Sequence, residues 1–208
     1  MRIQARRDKL GSKRGFTLVE LMIVVAIIGV LAALAIYGVR KYLTNAKTAE
    51  ARMGVGRLAK DAQLAYEKEI VSVGIVPLTD KANISHRMCS SGAAVPALAG
   101  LIANRKYQST PSDWASPDIA PGIAGGWSCL KFTLSDPQYF QYRYDLDTGD
   151  ATAPAVANDK FTAHAQGDLD GDSLLSDLSL AGQLQKDAAS NDLVLTLAAT
   201  ATETQPEE

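Results

Sequence analysis

Gly15-Phe16-Thr17-Leu18-Val19-Glu20-Leu21 opens a run that stays apolar to Val39, and its reading decides the rest of the chain. Upstream of it, residues 1–15 carry Arg2, Arg6, Arg7, Lys9, Lys13 and Arg14 against Asp8, a net charge of +5. The 208-residue chain as a whole is −2, so the part from Phe16 onward is −7. A body this acidic speaks against a dedicated nucleic-acid surface, because neutralising phosphate takes clustered Lys and Arg. The length suits one domain with an anchor or tail. Hydrophobic content is an ordinary 47%, but it concentrates in residues 16–39 and leaves 40–208 polar and rich in small residues.

Three readings compete for the N-terminal stretch. A secretory signal peptide places its cleavage site after the apolar core. Here a cut after Gly15 precedes the run, so the hydrophobic segment would stay on the protein. A plain signal anchor explains length and orientation, since residues 21–39 suffice to cross a bilayer and a positive leader stays cytoplasmic. It gives no reason for Glu20. A carboxylate inside a membrane helix costs on the order of 2.5–3.5 kcal/mol and so calls for a partner. A cut after Gly15 would create an ammonium at Phe16, one helical turn from Glu20. That ammonium could pair with Glu20 of its own chain or of a neighbour, and a neighbour pairing would set axial register. The plainer alternative puts Glu20 at headgroup level.

Lys13-Arg14-Gly15-Phe16-Thr17-Leu18-Val19-Glu20-Leu21-Met22-Ile23-Val24-Val25-Ala26-Ile27-Ile28-Gly29 resembles the class III leader junction and helix start of type IV pilins. The likeness is tight over residues 13–36 and loose beyond. It implies cleavage between Gly15 and Phe16 by a prepilin peptidase, N-methylation of Phe16 by the same enzyme, and an assembly role for Glu20. It also implies helix flexibility near Gly29 and Gly38. One departure is that Tyr37, followed by Gly38, stands where many members carry proline. Proline removes a helix hydrogen bond, whereas glycine weakens a helix by only about 1 kcal/mol. The 15-residue leader is also longer than the shortest in the family.

From Arg40 the pattern turns amphipathic. Tyr42, Ala46, Ala49, Met53, Gly56, Ala59, Tyr66 and Ile70 fall on one helical face, read as core packing. No proline intervenes before Pro77, so the spacing predicts one helix over residues 16–71, roughly 80 Å long. That exceeds a membrane span, so the half over 40–71 must dock on a domain. Gly54 and Gly56 mark close packing or a slight bend.

Residues 72–130 read as a connecting region with a short helix near 96–103. Cys89 and Cys129 form an even pair downstream of the hydrophobic run, which in an exported domain reads as a disulfide worth about 3–4 kcal/mol. Residues 131–198 then show period two. Phe140, Tyr142, Tyr144 and Leu146 alternate with polar residues, as do Phe161, Ala163 and Ala165. Leu174, Leu178 and Leu180 mark another strand, and Leu193, Leu195 and Leu197 a further one. With a strand at 131–134, four or five antiparallel strands would cover the lower helix in an α+β pilin fold. Residues 199–208 read as a frayed acidic tail.

The one metal-like constellation is Gly167-Asp168-Leu169-Asp170-Gly171-Asp172, with Asp177 beyond. It fits a calcium loop poorly, because the glycine comes one place early and Ser179 stands where the bidentate Glu belongs. Asp and Gly are what a tight turn requires, and the turn is the preferred reading. Crowded carboxylates nevertheless leave weak Ca²⁺ binding open. His86 and His164 suggest no site by spacing, and no catalytic set or cofactor motif is present.

The resemblance thus implies a non-enzymatic major pilin. The subunit would be held in the inner membrane, cut, methylated and polymerised into an extracellular filament. Its partners would be copies of itself, the prepilin peptidase, the inner-membrane assembly machinery and, before assembly, membrane lipid. Filament ligands would be DNA or polysaccharide, with retraction-driven twitching or gliding motility, adhesion and cell–cell contact as uses. Size and sheet-turn sequence are most similar to the myxobacterial branch of the family. The alternatives are a pseudopilin of a type II secretion apparatus and a single-pass membrane protein with an extracytoplasmic binding domain.

Overall fold

The computed structural model describes residues 15–68, 70–71 and 84–205. The leader before Gly15, the stretch around Pro77 and the last three residues lie outside it. The chain forms two compact units, one ending at Leu43 and the other beginning at Thr44.

One helix, α1, spans Leu18–Glu67. Its sequence has no proline and is rich in Ala and Leu, the residues that lose least on entering a helix. It stops four residues earlier than expected, because Ile70–Val71 form a short strand, β1, paired with β2 at Ile84–Ser85. The helix end is met from the side: the His86 ring donates from Nδ1 to the Tyr66 carbonyl at 2.9 Å. That bond satisfies one of the carbonyls every helix C-terminus leaves without a partner.

In the second unit, α1 buries Ala51, Val55, Leu58, Ala59, Ala62, Ala65 and Tyr66. Steps of three and four make this one face. It is not the face the sequence pattern suggested. Tyr42 and Met53 are each 72% exposed, Ala46 and Ala49 are exposed, and only Ala59 and Tyr66 belong to both sets.

The strand before the sheet's main body is β3, Gly92–Val95, inside the expected connecting region. The expected helix near 96–103 is a single 3-10 turn at Ala99–Leu101, and a second 3-10 turn covers Pro111–Trp114. A two-stranded ribbon, β4 (Asp118–Ala120) with β5 (Ile123–Ala124), precedes a short helix α2, Gly126–Leu130. Residues 131–134 are not a strand. Lys131 ends α2 in the left-handed region at φ 56°, and Phe132 turns into the core.

The main sheet has six strands, not four or five. β6 (Phe140–Thr148), β7 (Lys160–Gly167) and β8 (Ser176–Lys186) form its centre, and β3 pairs with β6 at one edge. At the other edge β8, 11 residues long, carries two strands end to end. β9 (Leu193–Leu197) pairs with its second half and β10 (Thr202–Thr204) with its first. Residues 199–208, expected to fray, therefore include a paired strand. All these pairings are antiparallel, and with the helix they make the expected α+β layers.

The core lies between α1 and this sheet. Tyr142 and Tyr144 of β6, Ala163 and Ala165 of β7, and Leu178 of β8 share one buried cluster with the alanines of α1. Small residues on both layers let helix and sheet approach closely. Gly54 is the tightest point: a Cβ there would overlap the Tyr142 ring. Glycine also sits beneath an aromatic ring at two cross-strand pairs, Gly167 opposite Phe140 and Gly182 opposite Phe161. In the same cluster Trp114, Trp127 and Phe132 pack together with ring centroids 5.0 to 5.6 Å apart. Beside these rings the expected Cys89–Cys129 disulfide is formed, joining β3's approach to α2 across 40 residues.

Candidate functional site

At its N-terminus α1 begins with a motif that the sequence reading passed over. Thr17 precedes the first helical residue, Leu18, and Glu20 follows three places later. Glu20 Oε2 accepts from the Thr17 backbone N–H at 2.9 Å and from the Thr17 hydroxyl at 2.8 Å. In return the Glu20 N–H donates to Thr17 Oγ1 at 3.2 Å. This is a capping box, which satisfies helix donors reciprocally. Its T-x-x-E spelling is legible in the sequence. The carboxylate that looked unaccounted for inside an apolar helix thus has a local partner. Among the described residues Glu20 Oε1 has none.

Phe16 stands just outside the box and is 84% exposed. From Leu21 to Val39 the helix is apolar on every side, with Leu21, Val30 and Leu34 at 60–65% exposure. It is long and apolar enough to cross a membrane. A surface this large and this apolar marks a lipid or protein interface. Gly29 and Gly38 lie within the continuous helix, and a Cβ at either would meet nothing within 4 Å.

The acidic turn between β7 and β8 is the other candidate. Asp168, Asp170 and Asp172 can bring one carboxylate oxygen each within 4.8 Å of one another. Asp177 does not join them, because its carboxylate faces His164 Nδ1 at 3.2 Å across the sheet. The three that converge already serve the turn's own backbone. Asp168 accepts from the N–H groups of Gly171 at 2.7 Å and Ser173 at 3.2 Å, and Asp172 accepts from Leu174 at 2.7 Å. Gly171 at φ 87° and Ser173 at φ 74° occupy the left-handed region that such a turn demands. The two histidines are far from any common site: His86 caps α1 and His164 lies between Asp145 and Asp177 on the sheet.

Comparison with known proteins bears on the first candidate. Residues 10–36 match the prokaryotic N-terminal methylation motif. The chain is 34% identical over 140 residues to the type IV major alpha-pilin of Moraxella bovis, covering 58% of this chain and 86% of that one. The chain is a type IV pilin. The pilin is also 28% identical over 141 residues to fimbrial protein Q of Moraxella bovis, covering 58% and 87% of the two chains. A fimbrial protein of Pseudomonas aeruginosa is 46% identical over 63 residues, 29% of this pilin and 41% of the relative. No solved structure matches it significantly. As a pilin it is a structural, non-enzymatic subunit that self-assembles into filaments after processing of its leader. The matched motif, residues 10–36, takes in Phe16, the capping box and the start of the apolar length of α1.

Proposed function

We propose that the chain is cut between Gly15 and Phe16, N-methylated at Phe16, and polymerised through α1 with Glu20 setting the register between neighbours. The observation that carries this reading is the one-sided use of Glu20. Both Thr17 donors converge on Oε2, leaving Oε1 without a partner among the described residues. The Phe16 ammonium of an adjacent subunit can bind Oε1 without breaking the helix cap. Charge pairing in an apolar setting is strong enough to select one axial position, while the apolar faces of residues 18–39 supply adhesion. Gly29 and Gly38 are where we expect the helix to loosen on packing.

The subunit waits in the inner membrane, is extracted by the assembly machinery, and ends on the cell surface. Retraction-driven motility, adhesion and contact with DNA or polysaccharide are the uses we assign to the filament. For the acidic turn we propose a structural role in the β7–β8 connection. A pseudopilin of a secretion apparatus is the runner-up; the disulfide, the poor fit of the acidic turn to a calcium loop and the named relatives all favour the pilus subunit.

Mass spectrometry of the protein from sheared surface fibres tests the proposal. The expected mass begins at N-methylated Phe16, and an intact leader would overturn it. Glu20→Ala is expected to insert in the membrane yet grow no fibres, so normal piliation in that variant would remove the register role.

A further inference from the structure

Where the apolar run ends, α1 carries Tyr37, Arg40 and Lys41 at i, i+3 and i+4, hence on one face one turn apart. All three are exposed within the unit that ends at Leu43, Tyr37 at 69%. The sequence has no Asp or Glu between Glu20 and Glu50, so neither cation has a carboxylate within reach along the helix. In the second unit Arg52, Arg57, Lys106, Arg143 and Lys160 each lie within 4 Å of a carboxylate, whereas Lys60, Arg105 and Lys186 have none so close among the described residues. Arg40 and Lys41 form no such pair among the described residues.

We propose that Tyr37, Arg40 and Lys41 clamp the phosphate of an anionic phospholipid in the extracytoplasmic leaflet while the subunit is stored in the membrane. The inference rests on the reading that residues 21–39 lie in the bilayer before assembly. With that span, the 37–41 turn falls at headgroup level. A guanidinium fork binds phosphate through two parallel N–H bonds, an ammonium adds a compact charge, and a phenol at the interface donates a third hydrogen bond. Tyr42, 72% exposed on the neighbouring face, adds a second interfacial ring. The leader's six basic residues still outnumber these two, so orientation in the membrane is unaffected. Assembly into a filament must shed this lipid, so the clamp holds the unassembled subunit at a defined depth.

The test reconstitutes the full-length chain in nanodiscs of phosphatidylcholine doped with either phosphatidylglycerol or phosphatidylcholine carrying a photoactivatable headgroup. Peptide mass spectrometry then maps the adducts. Adducts on residues 37–43 are expected to be at least about fivefold more abundant with phosphatidylglycerol, from roughly that factor per basic residue. In Arg40→Gln/Lys41→Gln the preference falls to the phosphatidylcholine level, and Tyr37→Phe lowers it partway. Lys60→Gln, on the exposed side of α1 farther along, leaves it unchanged. Equal labelling by both lipids in the parent chain, or a preference retained in the double variant, overturns the clamp. Loss of the adduct on adding millimolar glycerol phosphate would assign the site to a soluble anion and also overturn it. A chain that fails to float with vesicles would instead reject the membrane reading beneath it.

Discussion

Glu20 uses its two oxygens differently: Oε2 closes the helix cap with Thr17, and Oε1 has no partner among the described residues. The cap is easily overlooked in the sequence, because a lone carboxylate in an apolar run draws attention to charge and away from capping. Glycines show how far neighbouring positions can differ. Gly54→Ala is expected to destabilise detergent-solubilised protein by about 1–3 kcal/mol, since the added methyl meets the buried Tyr142 ring. Gly56→Ala, with open space around it, is expected to stabilise by up to about 1 kcal/mol through helix propensity alone. Thermal unfolding of the two variants should move in opposite directions, and equal shifts would contradict the helix–sheet packing described above. The acidic turn is a third case. Asp168 and Asp172 already accept backbone N–H groups, and Asp177 faces His164. Calorimetry with millimolar Ca²⁺ is expected to show no heat and no rise in melting temperature; a clear rise would make the turn a metal site.

Elements were legible where the contrast between faces was strong. Strands β6 and β7 alternate aromatic or alanine with polar residues; burial follows that alternation throughout β7, and in β6 it departs at Gln141, which is buried, and Leu146, which is half-buried. Strand β9 follows the same rule, which yields a direct check. Leu195→Ala is expected to cost about 2–5 kcal/mol because Leu195 is 4% exposed. Val194→Ala, one residue earlier and 47% exposed, should fall within about 0.5 kcal/mol of the parent. Urea unfolding of both distinguishes a seated β9 from a loose one. The lower half of α1 was harder to read, because alanines and single large apolar residues occur on both of its faces. Periodicity then offers two stripes, and the sheet covers the one through Val55 and Leu58. Two short strands of the main sheet were missed for a related reason. β3 and β10 have three or four residues each and no alternating apolar row, and they become strands only because β6 and β8 present free edges.

For the molecule as a whole, the disulfide and the buried tyrosines set how stability responds to conditions. Closing 40 residues, the Cys89–Cys129 bond is expected to contribute about 4 kcal/mol, and reduction should lower the urea midpoint without changing the sheet's spectrum. Burial holds the Tyr142 and Tyr144 phenols well above their ordinary range, with Glu50 and Asp147 adding repulsion. Above about pH 10 an unfolded chain releases those protons while the folded one keeps them. The unfolded state then binds fewer protons, so stability should fall as pH rises. Melting curves that stay flat to strongly alkaline pH would contradict the burial of these rings. By itself the sequence determined the basic leader, the apolar helix with its single carboxylate, the α+β class, the disulfide pair and the periodic strands. Each rests on local composition or on a repeat that one element imposes on its own residues. Only the tertiary structure decided which side of α1 meets the sheet, that β9 and β10 share one edge of β8, and that Asp177 turns to His164. Those are choices between surfaces of nearly equal apolarity or between competing partners. They are settled by shape at close range, such as the glycine that lets Tyr142 lie against the helix.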